Sequence, residues 1–458
     1  MSGNNGTARK IADIVLPPMA WATSRTLGLL AWCFSERKDI ALRNLALSFP
    51  ERSEEWRRRT AFKSIIRMME MFLVPLVNPL LSDDELSRRH IISPETAEKI
   101  HALCQKGKTI FQPPHCAMSE AGVFIPHIIP DMNISTMYRA LDWKPAERYV
   151  RWARSRWGVG LISRKDGLLE VRRRIGEGEN LLILFDQSAG KAGALILSFG
   201  RICSATDLPG TLASRFNSSV ALIIAKRTGF MRSTIEAHEV ENDGSAADIT
   251  ARTSIMFEKL LSEDDELCAD WMWSHRRWKC LMSGEGRCLN LRNKKNYVDY
   301  SLRVMGLEEQ PRRLPYVLRV PEARSKAELL AARMPALRER RKDVRWIAIC
   351  PEEHKDLFIE GNNCERVIAF AKGGLNAALK DAAKEWTEVY LSFEADSPVH
   401  REARLCNALY STGFSSKAAN GRKHKRCTVH GIPESAEEAT FDKALDDFFR
   451  HCGYEMNE

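Results

Sequence analysis

The sequence predicts an α/β protein: a mixed sheet flanked by helices, an N-terminal helix at a membrane interface, and a second, smaller α/β domain. Three observations carry this. From Lys108 onward, short apolar strands alternate with helical patterns. Residues 11–34 form one long apolar segment interrupted by charge. At 280–300 the periodicity is lost in CLMSGEGRCLNLRNKKN, and strand–helix alternation then resumes. A chain of 458 residues has room for two or three domains at roughly 150 residues each. The expected division is 1–290 and 296–458.

Residues 1–10 are polar and expected to be loose. Residues 11–34, IADIVLPPMAWATSRTLGLLAWCF, carry Asp13, Arg25 and the Pro17-Pro18 doublet. That is too interrupted for a spanning helix or a secretory signal. The expectation is a helix lying on, or tilted into, a bilayer, with Trp21, Leu29, Leu30 and Trp32 toward lipid. An ordinary amphipathic core helix is the competing reading.

Residues 36–80 read as helical, with Ser53 placed as an N-cap before Glu54 and Glu55. IIRMMEMFLVPLV (65–77) is apolar on most faces, so it is buried or lipid-facing. TIFQ (109–112) reads as a strand, followed by helical patterns at 116–128 and 144–157. NLLILFD (180–186), SVALIIAKR (219–227) and STIEAHEV (233–240) read as strands, and 249–263 as a helix. In the second domain WIAICP (346–351), RVIAFAKGG (366–374) and EVYLSFE (388–394) are strand-like, and LNAALKDAAKEW (375–386) is a helix.

Composition narrows the function classes. The chain is 44% hydrophobic and 28% charged, which excludes wholesale disorder. Its net charge of +9 is spread along the chain and favours anionic partners: a membrane surface, phosphorylated substrates or acidic carriers. RKHKR (422–426) reads as a solvated loop, and no nucleic-acid partner is expected. A mean hydropathy of −0.32 excludes a polytopic membrane protein. The 12 cysteines include no CxxC pair, so reduced thiols are expected, without zinc site or disulfide framework. HExxH, GxSxG and the P-loop pattern are absent.

One spacing carries chemistry. His115 and Glu120 stand in PPHCAMSEAG (113–122) as a His-x4-Glu pair. Composition alone gives about 1.4 such His-x4-acid pairs by chance. The chain has His90/Glu95, His115/Glu120 and His238/Asp243, so context must choose. Only His115 directly follows a short apolar strand and precedes a helical run, and sites in α/β sheets gather at the carboxyl ends of strands. Residues five apart in one helix point about 140° apart. The pair therefore works only if His115 sits before the helix, as Pro113-Pro114 favours, with Glu120 in its first turns. Glu120 would then accept a hydrogen bond from one ring nitrogen and leave the other as a base. Cys116 is set aside as a nucleophile, because sequence-adjacent side chains rarely pair this way. In helix 144–157, Arg148, Arg151 and Arg154 drift slowly round one face, a landing face for phosphorylated lipid or an acidic carrier, or simply a solvated face.

PPHCAMSEAG is followed by MYRALDW (137–143), RSRWGVGLISRKDG (154–167), GEGENLLILFDQSAGKAGALILSFGR (176–201) and DWMWSHRRWK (270–279). It is preceded by ALRNLALSFPERSEEWRRR (41–59). In this order they resemble the bacterial late acyltransferases of lipid A biosynthesis, the lauroyl/myristoyl acyltransferase family, over residues 10–280. The resemblance implies an acyltransferase-type fold, with His115 and Glu120 as the catalytic pair and Arg139 as the arginine of a Tyr-Arg motif. It implies Asp186 and Gln187 as the Asp-Gln pair after the central strand, and Arg164 in a basic segment. Arg139, Arg154, Arg164, Asp186 and Gln187 are thus the expected substrate-binding residues. Where the family usually has aromatic and glycine residues between His and acid, Cys-Ala-Met-Ser stands here, which bears on acyl-chain choice.

The implied reaction moves a fatty acyl chain from acyl carrier protein or CoA to a hydroxyl of a lipid A precursor, at the cytoplasmic face of an inner membrane. It needs no metal and no cofactor beyond the thioester substrate. Alternatives are acylation of another glycolipid or aminolipid, or a catalytically silent lipid-binding protein. In the second domain, EADSPVHREARLCNAL (394–409), with Asp396, Ser397 and His400, resembles a donor-binding stretch of heptosyltransferase-like glycosyltransferases, without a second motif. A regulatory or docking domain is the expectation there.

Overall fold

A computed structural model describes residues 3–129, 132–163, 167–278, 295–359, 363–394, 397–415, 427–431 and 441–446. The chain forms two compact units, the first comprising Met1–Phe199, Ser204–Arg277 and Lys295–Glu308, the second the remainder.

The first unit begins with α1 (Gly3–Phe34), α2 (Arg37–Ser48), α3 (Glu54–Val77) and α4 (Asp83–Arg89). Then come β1 (His90–Ile92), α5 (Pro94–Lys106), β2 (Ile110–Gln112), a 3-10 turn over Ser119–Phe124 and α6 (Ile125–Ile128). The chain continues through β3 (Ile134–Tyr138), α7 (Lys144–Ser155), β4 (Gly160–Ser163), α8 (Gly167–Gly176) and β5 (Asn180–Leu182). It goes on as β6 (Ala194–Ser198), β7 (Arg201–Ala205), α9 (Leu208–Phe216), β8 (Val220–Gly229), β9 (Arg232–Glu239), α10 (Ala246–Glu263), α11 (Asp265–Asp270) and α12 (Val298–Met305). The seven-stranded sheet has the order β1-β9-β8-β2-β5-β3-β4. The β8–β9 pair is antiparallel and every other pair is parallel, so the sheet is mixed as expected.

The expectation of a loose N-terminus is corrected: α1 starts at Gly3 and runs through Pro17 and Pro18. Interior prolines cost a helix about 3 kcal/mol each, so tertiary contacts must hold it. They are visible. Asp13 accepts hydrogen bonds from the backbone N–H (2.8 Å) and hydroxyl (2.6 Å) of Ser82, which gives the acid inside the apolar segment a structural use. Ala20, Ser24 and Gly28 recur every fourth residue and are buried. A Cβ on Gly28 would meet the Ile66 Cα at 2.9 Å, so α1 and α3 approach closely there. These small residues face inward and most of the large ones outward, although Leu16 packs on the core and Trp32, expected toward lipid, is half-buried edge-on against Phe62 at 5.3 Å between ring centres. Ile14 is 75% and Phe34 85% exposed, with Met19, Trp21, Leu29 and Leu30 also exposed. No helix among the described residues is long and apolar enough to cross a membrane. Ser53 caps α3 as expected, accepting the Trp56 N–H at 3.1 Å.

The second unit contains β10 (Leu314–Arg319), α13 (Arg324–Arg340), β11 (Val344–Pro351), α14 (Lys355–Ile359), β12 (Arg366–Phe370) and α15 (Leu375–Ala382). It ends with β13 (Val389–Ser392), α16 (Val399–Leu405), β14 (Tyr410–Ser415) and β15 (Cys427–Gly431). Its sheet is wholly parallel in the order β12-β11-β10-β13-β14-β15. Numbered within the unit this is 3-2-1-4-5-6, the doubly wound order with a topological switch between its first and fourth strands. One face packs Tyr316, Leu318, Trp346 and Leu391 into one core; the other packs Val317, Ile347, Ile349 and Tyr390 against α15 and α16. Asp396 lies outside the described residues; Ser397 donates to Glu402, and His400 is exposed on α16.

Candidate active site

β2, β5 and β3 are adjacent and parallel, so their carboxyl ends open on one edge of the sheet. His115 follows β2, Asp186 follows β5, and Arg139 directly follows β3. This edge is where α/β sheets assemble sites.

His115 Nδ1 donates to Asp186 Oδ1 at 2.6 Å, and the His115 backbone N–H donates to Oδ2 at 2.9 Å. Trp271 Nε1–H donates to the same Oδ2 at 2.6 Å. Asp186 is fully buried, which raises its carboxyl. The charge and hydrogen bonds of His115 and the Trp271 indole outweigh that burial and hold it below the usual carboxylate range. It therefore stays ionised and fixes the Nδ1–H tautomer. The His115 side chain is 24% exposed, and its Nε2 has no protein partner among the described residues. The arrangement presents a lone pair that can take a proton at the carboxyl edge.

The segment bearing His115 is held by DWMW (270–273). Cys116 and Trp271 form an antiparallel bridge, Ala117 N–H donates to Asp270 O at 3.1 Å, and Met272 N–H donates to His115 O at 3.2 Å. That strip is fastened in turn. Ser64 Oγ donates to Trp271 O at 2.6 Å, and Asn44 Nδ2 donates to Trp273 O at 2.8 Å and His275 O at 2.9 Å. Arg67 pairs with Asp270 at 2.9 Å, yet burial wins and pushes the Asp270 carboxyl up to about 7. Arg277 holds the backbone carbonyl of Asp186 and donates to Ser198 Oγ at 3.1 Å. Burial also drives the His275 imidazole down to about 4, so it stays neutral and accepts the Ser188 N–H at 3.0 Å.

Glu120 sits in the first turn of the 3-10 segment, as the spacing argument requires. The expected hydrogen bond to His115 is not there. Glu120 instead takes both Nε–H (3.1 Å) and Nη–H donors of Arg154 in α7. The physical reason is topological: β5 lies beside β2 and delivers Asp186 to the ring, while the tight turn directs Glu120 toward α7. Arg154 is thereby taken out of the basic face, leaving Arg148 and Arg151 exposed on it. Glu120 and Arg154 border a small pocket with Val74, Val123, Phe124 and Trp157. Arg139 is exposed, Gln187 is half-buried, and Arg164 lies outside the described residues. The Cys116 thiol is buried and pushed well above its ordinary range by that burial, which does not favour a thiolate.

The profile of the bacterial lipid A biosynthesis acyltransferases matches residues 11–280, more than half of the chain. The chain belongs to that family. The acyltransferase family implies a lipid acceptor. No curated protein matches the chain significantly. Solved structures similar to it include a glycosyl transferase of family 9 from Veillonella parvula DSM 2008, 14% identical over 30% of this chain and 41% of that one, with a TM-score of 0.23. The chain thus spans less than half of that protein, and a likeness of this size carries no argument about activity.

Within this lipid A acyltransferase domain, Trp271 is the residue at the site that sequence reasoning missed. Its motif, DWMWSHRRWK (270–279), is among those that carry the resemblance, but nothing in its spacing ties the indole to Asp186. A buried indole N–H needs an acceptor, and that need was the available signal.

Proposed function

We propose that the protein transfers a fatty acyl chain from an acyl thioester, on acyl carrier protein or CoA, to a hydroxyl of a lipid A precursor at a membrane surface. The observation that carries this reading is the His115–Asp186 pair at the carboxyl edge, inside the matched region. His115 Nε2 takes the hydroxyl proton as the oxygen attacks the thioester carbonyl. The tetrahedral intermediate expels the thiolate, which takes that proton back from Nε2. Asp186 stabilises the imidazolium formed between the two steps. General-base help of this kind is worth about 10²–10⁴-fold.

Glu120 and Arg154 act as a positioning pair beside the small apolar pocket. Exposed Arg139, with Arg148 and Arg151, meets an anionic group of either substrate. The outward apolar face of α1 supports docking on the inner membrane from its cytoplasmic side, where both substrates would be met. The test is incorporation of a radiolabelled acyl group from acyl carrier protein or CoA into a lipid A precursor in vesicles. Labelled lipid product is expected. Lipid retention without product from either donor contradicts the reading.

A further inference from the structure

In the second unit the last row of side chains at the carboxyl edge changes character. One row back, β10, β11 and β13 present Val317, Ile347 and Tyr390 to α15 and α16. The final row reads Ile349, Arg319, Ser392 and Gly413 across β11, β10, β13 and β14, so it stays apolar on β11 and turns polar or bare on the other three strands. Arg319 is 2% exposed and Ser392 is fully buried, yet among the described residues Arg319 Nε and Ser392 Oγ have no hydrogen-bond partner. Buried donors left unpaired typically cost about 1–3 kcal/mol each, so two side by side call for an explanation.

The guanidinium is held for use. Its Cζ lies 4.8 Å from the centre of the Phe370 ring, which fixes its plane. Nη2 donates to Glu322 Oε1 at 2.8 Å, and Nη1 donates to Val320 O at 3.3 Å. Glu322 thus takes one of the two parallel N–H groups on the Nε edge and leaves the other empty. That carboxylate is 65% exposed and free to leave. Gly413 matters here, since a Cβ would meet Ser392 O at 2.7 Å and Val399 Cγ2 at 3.0 Å. Only glycine lets β14 approach Ser392 so closely while putting no side chain over its hydroxyl. β10 and β13 are also the strands between which the 3-2-1-4-5-6 order reverses, where doubly wound sheets take ligands.

We infer that this edge of the second unit binds a small phosphorylated molecule. Its phosphate bridges Arg319 Nε and Nη2 and accepts from Ser392 Oγ, displacing Glu322. Two parallel guanidinium donors plus a hydroxyl match a tetrahedral anion better than a planar apolar group. The inference is independent of acyl transfer.

Titration calorimetry on the full chain, with pyrophosphate and with ADP as probes, tests it. One saturable site is expected. Arg319→Lys lowers affinity at least 10-fold, because a point charge cannot replace the fork. Ser392→Ala lowers it several-fold. Glu322→Gln raises it several-fold, by removing the internal competitor. Glu322 is exposed, so this variant reads out even where Arg319→Lys fails to fold. Tighter ADP than pyrophosphate assigns a nucleotide, and equal affinity assigns the phosphate alone. No saturable binding of either probe, or binding indifferent to Arg319→Lys and Glu322→Gln, overturns the inference.

Discussion

His115 Nδ1 and Asp186 Oδ1 lie 2.6 Å apart across 71 positions of sequence, joined by the adjacency of β2 and β5. The pair needs both strands in register, and it makes the carboxylate, rather than the neighbouring Glu120, the partner of the ring.

Asp186→Asn tests that pairing. Asparagine keeps the size but offers one acceptor oxygen where the carboxylate serves His115 N–H, Nδ1–H and Trp271 Nε1–H. Its amide favours the wrong imidazole tautomer and removes the charge opposite the imidazolium. We expect kcat to fall by about 10²–10⁴-fold with KM little changed. Steady-state kinetics on protein shown folded by circular dichroism checks it; a wild-type kcat contradicts it.

Glu120 and Arg154 form one unit. Glu120→Gln and Arg154→Ala should each reduce transfer and stability, by about 1–2 kcal/mol for stability because both side chains are only partly exposed. The double variant should be scarcely worse than either single one. A double-mutant cycle by denaturant titration measures this. Strict additivity would mean that the two residues act separately.

The outward face of α1 gives a third expectation. Replacing Ile14, Met19 and Phe34 by Ser removes apolar area that the fold does not bury. Burying each such side chain in lipid is worth roughly 1.5–3 kcal/mol. Flotation with anionic vesicles should therefore show binding weakened by about 100-fold or more, with an unchanged Tm. Unaltered flotation would locate membrane contact elsewhere.

His90 predicts part of the acid sensitivity. It is buried between Asn78 and Ser233, each 2.9 Å from a ring nitrogen. Burial, then the charges of Arg89 and Arg232, push its imidazole down to about 4 from 6.5. Below 6.5 the unfolded chain takes a proton that the fold refuses until about 4, so stability falls as pH drops through that window, by about 3 kcal/mol in all. Glu258, pushed up to about 7 by burial, works in the opposite sense over the same range. The comparison of wild type with His90→Gln isolates the histidine. Denaturant titrations at pH 7 and pH 4 should show the wild type losing about 3 kcal/mol more than the variant. Parallel losses would contradict it.

Much of the first sheet was legible, because β2 and β8 are apolar runs with clear ends and β9 alternates buried and half-exposed residues at period two. β3 and β4 were not, since ISTMY and GLIS mix small and polar residues at buried positions. β10 carries Pro315, which argues against a central strand, yet there its carbonyl simply accepts the Glu388 N–H at 2.8 Å. At the site, local spacing found His115 and placed Glu120 in its turn. The residue on the ring comes from the next strand over, and the indole on that residue from 85 positions further on. Such partners are set by strand order, which periodicity does not reveal.

In the proposed mechanism everything turns on His115 taking the proton from the acceptor hydroxyl. Its most direct test is the rate of acyl transfer by a His115→Ala protein whose unfolding midpoint matches the wild type. We expect kcat to fall by about 10²–10⁴-fold, with acyl donor and lipid still bound. Turnover at the wild-type rate in that folded variant would contradict it.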